Sequence, residues 1–243
     1  MADYTERYVA FIDILGFREH VKSIDTHPEK LDHLLSILKE IATNYTGLSR
    51  NVSETQGFEH MLRVTAFSDN VVISGRHDKA GLLFVLAVCS SLSVRLLQQG
   101  VLARGGITQG KLFHSEAVVI GDGLIKAYEL ESKTAIYPRV IIDPAIRTQA
   151  IELAAENNFE QTYKPFTIVQ DFDGLFFLNY LGVTVLPEYS KSSSDHFLEK
   201  VRQEIIDGLN KAGSLGVKAK LGWMARYLNE HAEILQMETI PLE

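Results

Sequence analysis

Two carboxylates at the ends of strand-like segments carry the first sign of chemistry in this chain. Asp13 closes the apolar run Tyr8-Val9-Ala10-Phe11-Ile12 and is followed by Ile14-Leu15-Gly16-Phe17. Asp69 lies within Arg63-Val64-Thr65-Ala66-Phe67-Ser68-Asp69-Asn70-Val71-Val72-Ile73-Ser74, two β-prone stretches around a Ser-Asp-Asn turn that read as a hairpin. If these strands are neighbours, both carboxylates project from adjacent ends of one sheet. Like charges at short range repel and are costly to bury, so a divalent cation carrying a nucleoside triphosphate, Mg²⁺ or Mn²⁺, accounts for the pair. Taken singly, Asp13 is an ordinary strand end and Asp69 an ordinary turn residue. Taken together they favour the metal site, because the residues preceding Asp13 belong in a core.

A third segment, Arg104-Gly105-Gly106-Ile107-Thr108-Gln109-Gly110-Lys111-Leu112-Phe113-His114, places three glycines in a strand. Each loses more backbone entropy than another residue and gives the sheet nothing to pack, so close approach of a ligand or of a second backbone is expected there. Lys111, directly after Gly110, is either a phosphate-binding cation or an exposed strand-end lysine.

The elements that must position these groups follow from periodicity and turn chemistry. A first strand covers about 6–13, and a helix from Pro28 to Tyr45 carries Leu31, Leu34, Leu35, Leu38 and Ile41 on one stripe. Residues 47–60 read as a polar loop, 61–75 as the hairpin, and 79–99 as a helix closed by Gly100 in the C′ position. A strand at 103–113, a short run at 118–120, a helix at 123–132, a strand at 138–143 and a helix at 144–157 with proline in its first turn come next. The order β-α-β-β-α-β, followed by an added helix and strand, predicts an α+β, ferredoxin-like palm. Two strands around Asp171-Phe172-Asp173-Gly174 and helices at about 196–212 and 215–235 follow. The expected division is therefore 1–160 for the chemical domain and 161–243 for a C-terminal β-hairpin and helical extension packed on it. The apolar stripe Leu221, Trp223, Met224, Tyr227 and Leu228 reads as packing.

Composition bounds the partners. The chain has 243 residues and a net charge of −7, which disfavours generic binding to nucleic acid or to anionic membrane. Its one cysteine, Cys89, lies in an apolar run, excludes an internal disulfide or a CxxC metal site, and is expected to pack in a core. The N-terminal residues lack a signal-peptide pattern, and no stretch approaches 18 uninterrupted apolar residues, so a cytoplasmic location is expected.

Phe11-Ile12-Asp13-Ile14-Leu15-Gly16-Phe17, Ser68-Asp69, Arg104-Gly105-Gly106-Ile107-x-x-Gly110 and Ala127-Tyr128-Glu129-Leu130-Glu131 resemble, in order and spacing, the catalytic domain of class III nucleotidyl cyclases over about residues 6–145. The runs IDILGF, FSDNVVIS and RGGITQGKLFH are similar to the pyrimidine nucleotide cyclases of bacterial Pycsar antiphage systems. Those enzymes make cyclic UMP or cyclic CMP on phage infection and so activate a separate effector protein.

The resemblance implies attack of the ribose 3′ oxygen on the α-phosphorus of UTP or CTP, with pyrophosphate as leaving group. It implies two Mg²⁺ or Mn²⁺ ions per site, held by Asp13, Asp69 and the Ile14 carbonyl, and phosphates gripped by the backbone of Leu15, Gly16 and Phe17 with Lys111. A head-to-tail homodimer is implied as well, its metal and base-reading residues coming from opposite subunits. On the same alignment Thr65 replaces a purine-reading lysine, Val118 the base-reading aspartate, Ile125 the transition-state asparagine and Glu129 the transition-state arginine. A purine pocket would lack its discriminating groups, which makes ATP and GTP poor substrates. Arg63 and the Thr65 hydroxyl are candidate donors to uracil O4, and Arg104, Lys126 and Arg139 the candidate sources of transition-state charge. UTP is preferred over CTP. The competing readings are a cytidylate cyclase, an inactive cyclase-like dimeric module that senses nucleotides, another two-metal palm enzyme, and a purine cyclase with a rebuilt pocket.

Overall fold

A computed structural model describes residues 3–22, 24–40, 43, 61–156, 167–185, 194–235 and 237–242. The elements are β1 (Thr5–Ile14), α1 (Phe17–Lys22), α2 (Glu29–Glu40), β2 (Leu62–Phe67), β3 (Asn70–Arg76), α3 (Lys79–Gln98), β4 (Ala103–His114), β5 (Val119–Ile120), α4 (Asp122–Thr134), β6 (Val140–Ile142), α5 (Pro144–Glu156), β7 (Thr167–Gln170), β8 (Phe176–Asn179), α6 (Ser194–Lys211) and α7 (Leu215–Leu235), with a 3₁₀ turn at Tyr180–Val185 after β8. The expected loop at 47–60 lies outside the described residues.

The strands run β2-β3-β1-β4-β6-β8-β7 in one sheet, with β5 paired to β4. β1 is antiparallel to both β3 and β4, so the first four strands have the order and directions of the ferredoxin-like plan. The α+β architecture expected from the sequence is the one observed. β6 joins parallel to β4, and the β7–β8 hairpin carries the same sheet outward from β6.

Alternation along β1 divides the two faces of the sheet. Tyr8, Ala10, Ile12 and Ile14 enter a core with α3 and α5, built from Leu82, Leu86, Leu92, Ile146 and Ala150 among others. Val9 and Phe11 point the other way, onto Val72, Leu112 and Ala127. By length and composition α3 could cross a membrane, but 67% of its apolar window is buried inside the protein. Burial of Leu82, Leu86 and Leu92 against the sheet contributes about 1.5–3 kcal/mol each, so core packing accounts for this helix. Cys89 is fully buried within it, and burial pushes its thiol pKa well up.

Helix α3 begins on an Asp78 cap, whose Oδ1 accepts from Gly81 N–H at 2.8 Å. It ends in a Schellman motif, Gly100 N–H to Leu97 O at 2.9 Å and Val101 N–H to Leu96 O at 2.9 Å. Gly100 is the residue expected there and has φ +73°. The stripe expected on α2 needs correction. Ile37 is the buried residue, whereas Leu31 and Leu35 are about two-fifths exposed; the side chains of Leu34 and Leu38, and Ile41, lie outside the description. Helical periodicity shows that a face is apolar without fixing how much of it a neighbour covers.

Candidate active site

The site begins with the pairing of β1 against its two neighbours. Asp13 stands opposite Asn70 on β3 and opposite Arg104 on β4. Ile14 N–H donates to Asp69 O at 2.9 Å, which ties the strand end of Asp13 to the hairpin turn of Asp69. That turn is tight: Ser68 adopts φ +55°, the left-handed region that non-glycine residues enter only where surroundings hold them. Asn70 Nδ2 donates to Asp69 Oδ1 at 2.9 Å. Arg104 Nε donates to Asp13 Oδ2 at 3.2 Å and also lies 2.6 Å from Glu131 Oε1. Asp13, Ile14, Asp69 and Arg104 are thus gathered at one end of the sheet, as the sequence suggested.

Glu131 is the member that residue-by-residue reading left without a role. It is 2% exposed, on the turn of α4 that lies over β4. Although Arg104 is close, its Oε1 has no aligned hydrogen bond among the described residues. Burial pushes its pKa up to about 7; Arg104 opposes that shift and the charge of Asp13 adds to it. Burial likewise raises Asp13, against Arg104, with Asp69 adding repulsion. Lys220, on α7, lowers both carboxyls. Its helix reads from sequence as a packing element, so no local pattern marks it as a contributor of charge here.

The glycines of β4 are explained by close approach of neighbouring elements. A Cβ on Gly106 would lie 2.8 Å from Leu130, one on Gly110 would lie 2.7 Å from the Gly123 Cα, and one on Gly105 would meet Phe11 O. Helix α4 is therefore laid directly on the strand, which is how Glu131 reaches Arg104.

Other predicted residues are elsewhere. Lys111 pairs with Glu6 at the opposite end of β1, about 23 Å along the strand from Arg104, so within one chain it cannot join Asp13 in gripping a phosphate. Lys126 is half exposed on α4 and salt-bridged to Asp122 at 2.6 Å. Arg139 is fully buried, in an ion network with Asp171 and Asp173, and is not available as a transition-state charge. The Leu15 N–H donates to Leu102 O at 2.8 Å, which leaves Gly16 and Phe17 as the amides of the predicted phosphate grip. Arg63 and Thr65 lie on β2, on the face shared by Asp13 because Thr65 pairs with Val72 and Val72 with Phe11. Thr65 Oγ1 contacts His114 Nε2 at 2.9 Å, and His114 Nδ1 contacts Ser74 Oγ at 2.8 Å.

Among the described residues, no three His, Cys, Asp or Glu side chains form a group that could hold a metal ion alone. The hydrogen bonds to the two aspartates use Asp13 Oδ2 and Asp69 Oδ1, so each keeps a second carboxylate oxygen. Two carboxylate oxygens with a backbone carbonyl form a hard donor set, of the type that binds Mg²⁺ or Mn²⁺ when substrate phosphates complete the shell.

A solved structure described as a class III adenylyl cyclase-like ATP-binding protein from Pseudomonas aeruginosa is similar at 17% sequence identity and a TM-score of 0.39, over 65% of this chain and 37% of that one. This chain therefore spans well under half the length of that protein. No family model matches the sequence, and no curated protein matches it.

Proposed function

We propose that the protein is a metal-dependent nucleotide cyclase that converts UTP to 3′,5′-cyclic UMP and pyrophosphate. The observation that carries this reading is the meeting of Asp13 and Asp69 at adjoining strand ends, beside Arg104 and on the face that also presents Thr65. Asp13, Asp69 and the Ile14 carbonyl would hold the Mg²⁺ or Mn²⁺ ions. Bound there, such ions supply acidification of the ribose 3′ hydroxyl and neutralisation of the leaving pyrophosphate.

The chain's own groups do the rest. Arg104 fixes the Asp13 carboxylate and links it to Glu131, setting the orientation in which Asp13 meets the substrate. The amides of Gly16 and Phe17 face the phosphates, and Thr65 with Arg63 reads the base. Lys126 is engaged by Asp122, and Lys111, remote from Asp13 in one chain, serves only in a site that a second subunit completes. This is the reason a homodimer belongs to the proposal. The setting that fits is a cytoplasmic enzyme of bacterial antiphage defence whose product acts on a separate effector, with neither nucleic acid nor membrane as partner.

One observation favours a second reading, a nucleotide-sensing module without turnover. Ile125 is 60% exposed and Glu129 is paired to Lys133 at 2.7 Å, so neither the asparagine nor the arginine expected of a cyclase has a replacement at its own position. Incubation with each of the four nucleoside triphosphates and Mn²⁺, followed by mass spectrometry, separates the readings. Cyclic UMP as the main product supports the cyclase, and cyclic CMP moves the choice to the other pyrimidine. Calorimetric binding with no cyclic product supports the sensing module, and a cyclic purine nucleotide overturns the pocket argument.

A further inference from the structure

We infer that Arg7, Ser74 and His114 form a buried hydrogen-bond relay that turns the Thr65 hydroxyl into an outward-pointing donor, so that β2 selects a base carrying a carbonyl at position 4, uracil, over one carrying an amine, cytosine. The inference rests on the reading of this face as the base site and adds to it the direction of one proton.

Arg7 is 4% exposed and can only donate. Its Nε donates to Ser74 Oγ at 3.0 Å and its second terminal nitrogen to Ser74 O at 3.4 Å. Ser74 is 0% exposed, so its hydroxyl hydrogen needs a protein acceptor or carries the full desolvation penalty. The neighbour that can accept is His114 Nδ1, 2.8 Å away. The imidazole stays neutral, because burial and then the charges of Arg7 and Arg63 push its pKa down to about 3. A neutral ring that accepts at Nδ1 carries its hydrogen on Nε2, and Nε2 is 2.9 Å from Thr65 Oγ1. Thr65 therefore accepts from His114, and, with no acceptor for it among the described residues, its own hydrogen is left for whatever occupies the face.

Thr65 is half-buried, next but one along β2 from Phe67, which is 48% exposed, so a ligand on the sheet can reach it. Uracil offers O4 as acceptor where cytosine offers an amine. With the other imidazole tautomer the chain would run backwards: Thr65 would donate inward and present only lone pairs, favouring cytosine. His114 is thus a positioning residue that acts through Thr65.

The tautomer can be measured apart from any activity. In ¹⁵N-histidine-labelled protein, two-bond ¹H–¹⁵N correlations, assigned to His114 by their absence from His114→Gln, are expected to show the Nε2–H form unchanged from pH 8 to pH 5. An Nδ1–H or doubly protonated ring overturns the relay whatever the enzyme does. For selectivity, Thr65→Val is expected to raise KM for UTP roughly five- to tenfold at near-constant kcat while leaving CTP unaffected, as loss of one hydrogen bond to the base implies. Ser74→Ala, which removes the hydrogen that pins Nδ1, is expected to shift the UTP-to-CTP ratio of kcat/KM the same way. An unchanged ratio in Thr65→Val overturns the selection. The Nε2–H form in a protein that binds no pyrimidine nucleotide overturns the base-site reading and the uracil assignment with it, and leaves the tautomer as a property of the fold.

Discussion

Asp13 and Asp69 are close enough to repel, and among the described residues only one oxygen of each is held by a protein donor. Replacing either by asparagine is expected to cut cyclic nucleotide formation by more than about 100-fold at saturating Mn²⁺, equivalent to a few kcal/mol of lost charge stabilisation. Either variant should also keep or raise the metal-free melting temperature, because repulsion is relieved. Product mass spectrometry with a thermal melt checks both, and near-native turnover in either variant would exclude the two-carboxylate site. Glu131 makes a separate prediction. Its carboxyl has a folded pKa of about 7 against an ordinary 4.5, so the folded state holds the proton more tightly than the unfolded chain. The stabilisation is complete below pH 4.5 and lost as pH rises through about 7, by up to about 3 kcal/mol. Urea midpoints of the metal-free protein between pH 4.5 and 7.5 should fall more steeply for the native chain than for Glu131→Gln. Equal slopes would show that burial does not hold that proton.

The close seating of α4 on β4 is the element-scale device that brings Glu131 to Arg104. A methyl at Gly110 meets the backbone of Gly123, whereas one at Gly106 meets the Leu130 side chain, which can move. Gly110→Ala is therefore expected to cost about 2–3 kcal/mol and Gly106→Ala less, about 1–2 kcal/mol. The Gly106→Ala loss should shrink in a Leu130→Ala background. Denaturant midpoints give the order, and a reversed order would mean that α4 yields as a unit. At the other edge of the sheet, Arg139 binds Asp171 and Asp173, while Trp223 Nε1 and Arg226 donate to Asp171 at 2.6 and 2.8 Å. Arg139→Ala leaves two carboxylates without their main counter-ion and is expected to destabilise the fold by about 3–5 kcal/mol. Because its ion pairs run to Asp171 and Asp173 rather than to Asp13, kcat of the protein that remains folded should be unchanged; a loss of kcat at constant folded fraction would show coupling between the hairpin and the site.

For the whole molecule, the open side of the sheet and its surroundings expose Phe67, Val118, Ile120, Ile125 and Tyr128, and Tyr128 packs edge-on to Phe11 at 5.5 Å. A second copy of the chain is the proposed cover, because Lys111 cannot reach Asp13 in one subunit. Sedimentation equilibrium should report a dimer, and Ile125→Glu should give a folded monomer with activity reduced at least about tenfold. Mixing Asp13→Asn with Lys111→Ala should restore part of the UTP turnover of the native chain, since one of the two composite sites then holds both its Asp13 carboxylate and its Lys111. Absence of rescue with subunit exchange demonstrated would place each site within a single chain.

The sequence by itself determined what depends on local pattern. The apolar run Tyr8–Ile12 closed by Asp13, the Ser-Asp-Asn turn, the C′ glycine of α3 and the β-α-β-β-α-β order carried the α+β fold and the approach of Asp13 to Asp69, because turn chemistry and strand propensity are set by near neighbours. The glycines of β4 were legible as a close approach, but only the structure identified the intruders, α4 at Gly106 and Gly110 and β1 at Gly105. Arg104 against Asp13 spans 91 residues, Glu131 lies in a motif that gave it no role of its own, and Lys220 arrives on a helix whose sequence shows only packing. Sheet register decided that Lys111 stands at the far end from Asp13, because pairing partners are chosen by burial across the whole sheet. The polarity of the Thr65 hydroxyl is the extreme case. It is set by Arg7, Ser74 and His114 on three other strands, and a hydrogen bond acquires a direction only when every group along its chain has been placed.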